Sequence, residues 1–89
     1  MTTHASHPDI IKRLKRAAGH LKSTIQMLED ERACLDIAQQ LHAVEKAITN
    51  AKRTLIYDHL DHCLEDVLHA DHAGTETTLS EFKEITKYL

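Results

Sequence analysis

From Ala33 to His69 the chain runs without a glycine, a proline or a turn-forming cluster, within a sequence of 89 residues. Ile37, Leu41, Val44, Ile48 and Leu55 recur through this stretch at helical spacing, the mark of one continuous amphipathic helix. Roughly 37 residues at 1.5 Å each give about 55 Å, well beyond the width of a compact domain of this size. Helices longer than about 25 residues without internal caps belong to coiled coils and helical assemblies. One short partner helix leaves much of such an element uncovered, so the stretch predicts self-association. The plainer alternative is a helix kinked or broken inside a monomer.

The rest of the chain supplies only short elements. Two Gly, one Pro and three Phe and Tyr residues leave little material for turns or a sheet, so the expected fold is all-α, in a single domain over 1–89. An arm, 1–7, leads into a first helix over 8–29. Ser6-His7-Pro8-Asp9 offers a cap, a first-turn proline and an acid near the positive helix end. Ile10, Leu14, Ala17, Leu21, Ile25 and Leu28 follow at steps of three or four, predicting one buried face. The long helix then spans 33–69. Ala70–Thr77 reads as a turn around Gly74, and Thr78-Leu79-Ser80-Glu81 has capping-box form. A last helix is expected over 78–89.

Charge separates two surfaces. The formal net charge is −3, which argues against nonspecific nucleic-acid binding by the whole surface. Yet Lys12, Arg13, Lys15, Arg16 and Lys22 crowd the first helix, while Asp58, Asp61, Glu65, Asp66 and Asp71 stand in a segment without Lys or Arg. The two ends should meet different partners. No nucleophile–base–orienter set and no phosphate loop stands out, so the chain is not read as an enzyme. MTTHASHPD is polar with no apolar stretch behind it, and no window approaches the roughly 20 apolar residues of a membrane span. The expected location is the cytoplasm, with no membrane partner. There the two cysteines are better suited to be ligands or reactive thiols than a disulfide.

The stretch DHLDHCLED, residues 58–66, sets His59 and Cys63 four apart on one helix face. The other thiol, Cys34, precedes His59 by 25 residues, about 37 Å along a helix axis. One chain cannot bring these groups together. Twenty-five steps of 100° nevertheless fall within about 20° of whole turns, so both point nearly the same way. Two copies packed antiparallel about a two-fold axis near residues 46–49 would unite them. Ala43, Val44, Ala47, Ile48 and Ala51 in that region suit close helix contact. Such a dimer makes two equivalent sites, each with Cys34 from one chain and His59 and Cys63 from the other. Two thiolates and an imidazole favour Cu(I) and tolerate Zn. Square-planar Ni(II) needs a fourth ligand, which His4 or His7 could supply. Isolated His and Cys residues are commonly just surface and core, and His20, His42, His62, His69 and His72 are assigned that way.

Cys34, His59 and Cys63 in this spacing, with Gln39-Gln40 following the first Cys, together with RLKRAAGHLKS (13–23) and CLDIAQQLHAVEKAI (34–48), resemble the copper-sensitive operon repressor (CsoR) family. That family also holds nickel/cobalt, formaldehyde and persulfide sensors. The resemblance covers about residues 8–68. It implies an all-helical repressor of antiparallel dimers paired into a homotetramer. It implies that apo protein sits on double-stranded operator DNA and that effector binding releases it. Arg13 and Arg16 match positions that contact DNA in the family; Lys12, Lys15, Lys22, Lys52 and Arg53 would extend the phosphate contacts. Without the resemblance, a basic run of this kind is more often a solvated face.

The departures bear on the effector. Copper-type members carry a Tyr before the first Cys, bonded to a Glu of the last helix; this chain has Ala33 there, and Glu76 or Glu81 reaches that role only after a shift. The nickel and cobalt types use a His of the N-terminal arm, which His4 and His7 offer out of ungapped register. The formaldehyde type has an N-terminal Pro where this chain has Thr2, and the persulfide type lacks the His. Cu(I) is therefore the first expectation and Ni(II) or Co(II) the second. A thiol-based sensor and a histidine-rich metal buffer (His59, His62, His69, His72) stand as alternatives of other classes.

Overall fold

The computed structural model describes residues 5–69 and 72–89, with the backbone alone described at 66, 67, 69 and 72–75. Three helices follow one another: α1 (His7–Glu29), α2 (Cys34–His69) and α3 (His72–Thr86). The described residues contain no strand. The all-α expectation with a very long second helix holds, since α2 runs unbroken for 36 residues. Packing divides the chain into two compact units, one of His7–Ala51 and one of Lys52–Leu89 with the segment ending at Ser6.

The first unit is a helical hairpin of α1 and the start of α2. Its buried positions are Ile10, Ala17 and Thr24 on α1 and Ile37, Val44 and Ala51 on α2. Both sets step by sevens, the spacing of a narrow two-helix seam. The broad buried face expected on α1 is thereby corrected: Leu14, Leu21, Ile25 and Leu28 are exposed. One partner helix covers a stripe only one or two side chains wide, and these larger aliphatics flank it. Thr24, a polar residue outside the expected face, is 1% exposed. Its Oγ1 donates to the His20 carbonyl at 2.9 Å, which satisfies the hydroxyl inside the helix.

The turn between the helices has a definite stop signal that the acidic run conceals. Glu31 adopts φ 55°. Arg32 N donates to Met27 O at 3.0 Å and Glu31 N to Leu28 O at 3.1 Å, the paired bonds of a Schellman ending. A glutamate thus occupies a left-handed position that glycine usually fills. Further on, Ile37 N donates to Ala33 O at 3.1 Å, which starts α2.

In the second unit Ile56, Cys63 and Thr78 are buried. The last helix begins at His72, not at Thr78, and takes in Gly74. Gly costs about 1 kcal/mol against Ala inside a helix, too little to stop one on its own. Thr78 therefore lies within α3 and is no cap. The helix ends at Thr86, ahead of the expected Leu89. Lys87, Tyr88 and Leu89 each donate to the carbonyl three residues back, the tighter turn common at helix ends. At the other end Ser6 precedes α1, and His7, expected in the arm, is helical. His4 lies outside the described residues.

Candidate metal centre and basic face

His59 and Cys63 stand one turn apart on α2, so their side chains share a face. α3 adds Glu81. One ligand atom from each of His59, Cys63 and Glu81 lies within 4.8 Å of the others. Cys63 is buried, His59 half-buried and Glu81 exposed. Imidazole nitrogen, thiolate sulfur and carboxylate oxygen are all recognised metal donors, so the residues present fit a metal ion. The sequence leaves Glu76 and Glu81 as alternatives for the last-helix Glu that pairs with a Tyr in copper-type members, not as metal donors. The structure brings up Glu81 and leaves Glu76 exposed outside the group. The choice depends on where α3 starts, which no cap in the sequence marks.

The trio sits between two contrasting surroundings. On one side His59 and Glu81 line an open cleft of about 430 Å³ with Ser80, Glu84, Ile85 and Tyr88. On the other, Cys63 borders a smaller, apolar cavity of about 150 Å³ with Leu64, Thr78, Leu79 and Phe82. The thiol therefore approaches from a dry wall and the imidazole from a wet one. Glu84 is engaged by Lys87 Nζ at 3.2 Å. His62 Nε2 lies 3.5 Å from Asp58 Oδ1, so His62 has its own partner beside the trio and is not in it.

Cys34 is exposed at the first position of α2, in the other compact unit. His7 is exposed at the start of α1. His42 is on the first unit's half of α2; the side chains of His69 and His72 are outside the described set. Lys12, Arg13, Lys15, Arg16 and Lys22 are all exposed on α1, and Lys52 and Arg53 on α2. Arg13 and Arg16 line a cleft of about 190 Å³ with Ala17, His20, Ala47 and Asn50. Arg13 Nε donates to Asp9 Oδ2 at 2.7 Å, one turn back. His20 Nε2 donates to Gln40 Oε1 at 2.5 Å, which fixes the ring across the hairpin. Asn50 escapes a reading of the sequence, for an isolated polar residue in a long helix carries no signal.

Residues 6–88 match the family of metal-sensitive transcriptional repressors. The chain belongs to that family. Its members are repressors, not enzymes. The copper-sensing transcriptional repressor CsoR of Bacillus subtilis is 37% identical over 82 residues, covering 88% of this chain and 79% of that protein. CsoR of Mycobacterium ulcerans is 42% identical over 53 residues, which span 60% of this chain and only 45% of that protein. The copper-sensing repressor RicR of Mycobacterium tuberculosis is 30% identical over 70 residues, 79% of this chain and 73% of that protein. Among solved structures, the nickel-responsive transcriptional regulator InrS superposes with a TM-score of 0.83 at 25% identity, over 99% of this chain and 97% of that one. Among the described residues of this repressor-family chain, no helix is long and apolar enough to cross a membrane.

Proposed function

We propose that the chain is a cytoplasmic, metal-responsive repressor that holds operator DNA in its apo form and releases it on binding Cu(I). The metal-binding set is Cys34 of one protomer with His59 and Cys63 of another. The observation that carries the reading is the pair itself: an imidazole and a buried thiol one turn apart, with the second thiol of the chain exposed on the same helix. Copper-sensing relatives at 37% and 30% identity support Cu(I), as does the softness of two thiolates.

Self-association is part of this reading. Leu41, Ile48 and Leu55 recur every seventh residue along α2 and are 44%, 47% and 39% exposed. A soluble protein covers such a stripe with another helix. Copies of α2 packed antiparallel would do so and bring Cys34 toward the partner's pair, and two dimers would form the tetramer. Arg13, Arg16 and the lysines around them, repeated through the assembly, would supply phosphate contacts. Cys34, His59 and Cys63 closing on one ion tie two protomers together and favour the arrangement with poorer DNA contacts. The coupling is reciprocal, so DNA weakens metal binding by the same factor.

The test is an anaerobic Cu(I) titration of the wild type and Cys34→Ser, paired with anisotropy on a duplex selected by the apo protein from a random pool. Cu(I) should weaken wild-type DNA binding by about 5- to 150-fold and leave Cys34→Ser on DNA. Unchanged affinity in the wild type would sink the mechanism.

A second reading is favoured by the likeness to nickel-responsive InrS: a Ni(II) or Co(II) sensor in which His4 or His7 joins the ligands. Deleting residues 1–7 should then abolish Ni(II) binding and leave Cu(I) binding intact.

A further inference from the structure

His59, Cys63 and Glu81 belong to a single chain, and their donors converge without help from any other. The set differs in kind from two thiolates and an imidazole. Carboxylate oxygen is a hard donor that suits divalent ions and adds little for Cu(I), whereas Zn(II) accepts nitrogen, sulfur and oxygen together. Around tetrahedral Zn(II), donors stand about 3.3–3.8 Å apart, given bond lengths of roughly 2.0–2.3 Å. The trio, within 4.8 Å, needs shifts of only about 1 Å to close that gap. Glu81 is exposed and its carboxylate stands at the open cleft, so it can make such a shift without disturbing a core. Water from the cleft can fill the fourth position.

We propose that Glu81 makes His59 and Cys63 part of a second, intrachain seat for a divalent borderline cation of the Zn(II) class. The two ligand sets share His59 and Cys63 and so exclude each other. With Glu81 as third donor the ion is held within one chain, and Cys34 is left unused. With Cys34 as third donor the ion spans two chains. Only the second arrangement links protomers, so the seat lets the protein bind a divalent ion without the cross-link assigned to Cu(I). This inference rests on the metal-responsive reading above, and separate variants test each.

The experiment measures Zn(II) affinity by competition with a chromophoric chelator, Co(II) binding by visible absorption, and Cu(I) affinity anaerobically. The intact wild type is compared with Cys34→Ser, Glu81→Gln and Glu81→His. Glu81→Gln should weaken Zn(II) and Co(II) by at least about tenfold and leave Cu(I) within about twofold, which also shows that the variant is folded. Glu81→His, which restores a donor, should recover Zn(II). Cys34→Ser should leave Zn(II) unchanged and lose Cu(I). Equal loss of Zn(II) and Cu(I) in Glu81→Gln would make Glu81 a support for His59 and overturn the seat. So would a Cys34→Ser variant that loses Zn(II). Cu(I) binding unaffected by Cys34→Ser would overturn the intersubunit copper site alone, leaving the Glu81 result to stand on its own.

Discussion

Ser6 Oγ donates a 2.6 Å hydrogen bond to Asp58 Oδ2 across 52 residues of sequence, pinning the residue ahead of α1 to α2 one position before His59. The other oxygen of the same carboxylate faces His62 Nε2 at 3.5 Å. Asp58 thus joins the end of the N-terminal segment to the turn of α2 that carries the candidate donors His59 and Cys63.

Asp58→Ala leaves the Ser6 hydroxyl without this acceptor and removes the carboxylate 3.5 Å from His62 Nε2. A part-buried hydrogen bond to a charged group contributes about 1.5–3 kcal/mol. Urea denaturation should show a loss of that order. Ser6→Ala should cost less, because the carboxylate keeps its interaction with His62.

Glu31→Gly should stabilise the protein. A non-glycine residue at φ 55° carries a left-handed cost of about 1–2 kcal/mol, partly offset by the extra freedom glycine brings to the unfolded chain. Thermal and chemical unfolding should show a net gain of about 0.5–1 kcal/mol. Glu31→Val should be destabilising, since a β-branched side chain tolerates this backbone less well.

Leu41→Glu with Ile48→Glu should abolish the proposed self-association and leave smaller species in sedimentation velocity. Both positions are exposed in the single chain, so the monomer fold loses little directly. If Cys34 binds with the partner's His59 and Cys63, the same variant loses Cu(I) affinity. An unchanged sedimentation coefficient would remove this stripe from the interface.

Arg16→Ala should weaken DNA binding about equally on all sequences. The slope of log K against log salt should become shallower by roughly 1 for each phosphate that Arg16 neutralises. Ser23→Ala lies on the same helix and bonds only its own backbone at Gly19 O; it should leave the slope alone. Equal slopes for wild type and Arg16→Ala would take Arg16 out of the phosphate-binding surface.

How much of this is legible in the sequence depends on which physical rule governs each residue. The 36-residue α2 is readable because nothing in it opposes a helix. His59 and Cys63 are readable because four residues make about one turn. Glu81 is harder to place, since its alignment with His59 depends on a helix start that Gly74 masks and no side-chain cap announces. The burial of Thr24 and the exposure of Leu14 and Leu21 are hidden for another reason. Helical period specifies which residues share a face, but not how wide a strip of that face one partner covers. The α1 aliphatics expected in the core are the ones a single chain leaves in water. The Glu31 turn is concealed because its chemistry, a glutamate at positive φ, runs against the usual glycine signal.

The seam of the α1–α2 hairpin is built largely of short side chains, with Ala17 and Thr24 buried alongside Ile37, Val44 and Ala51. So slender a core contributes little hydrophobic stabilisation per chain, while larger aliphatics such as Leu14, Leu21, Leu41 and Ile48 stay exposed. In the proposed assembly, folding strength becomes a function of how many copies are present, because protomer concentration enters the stability of an oligomer directly. For such an assembly, dilution acts as a denaturant.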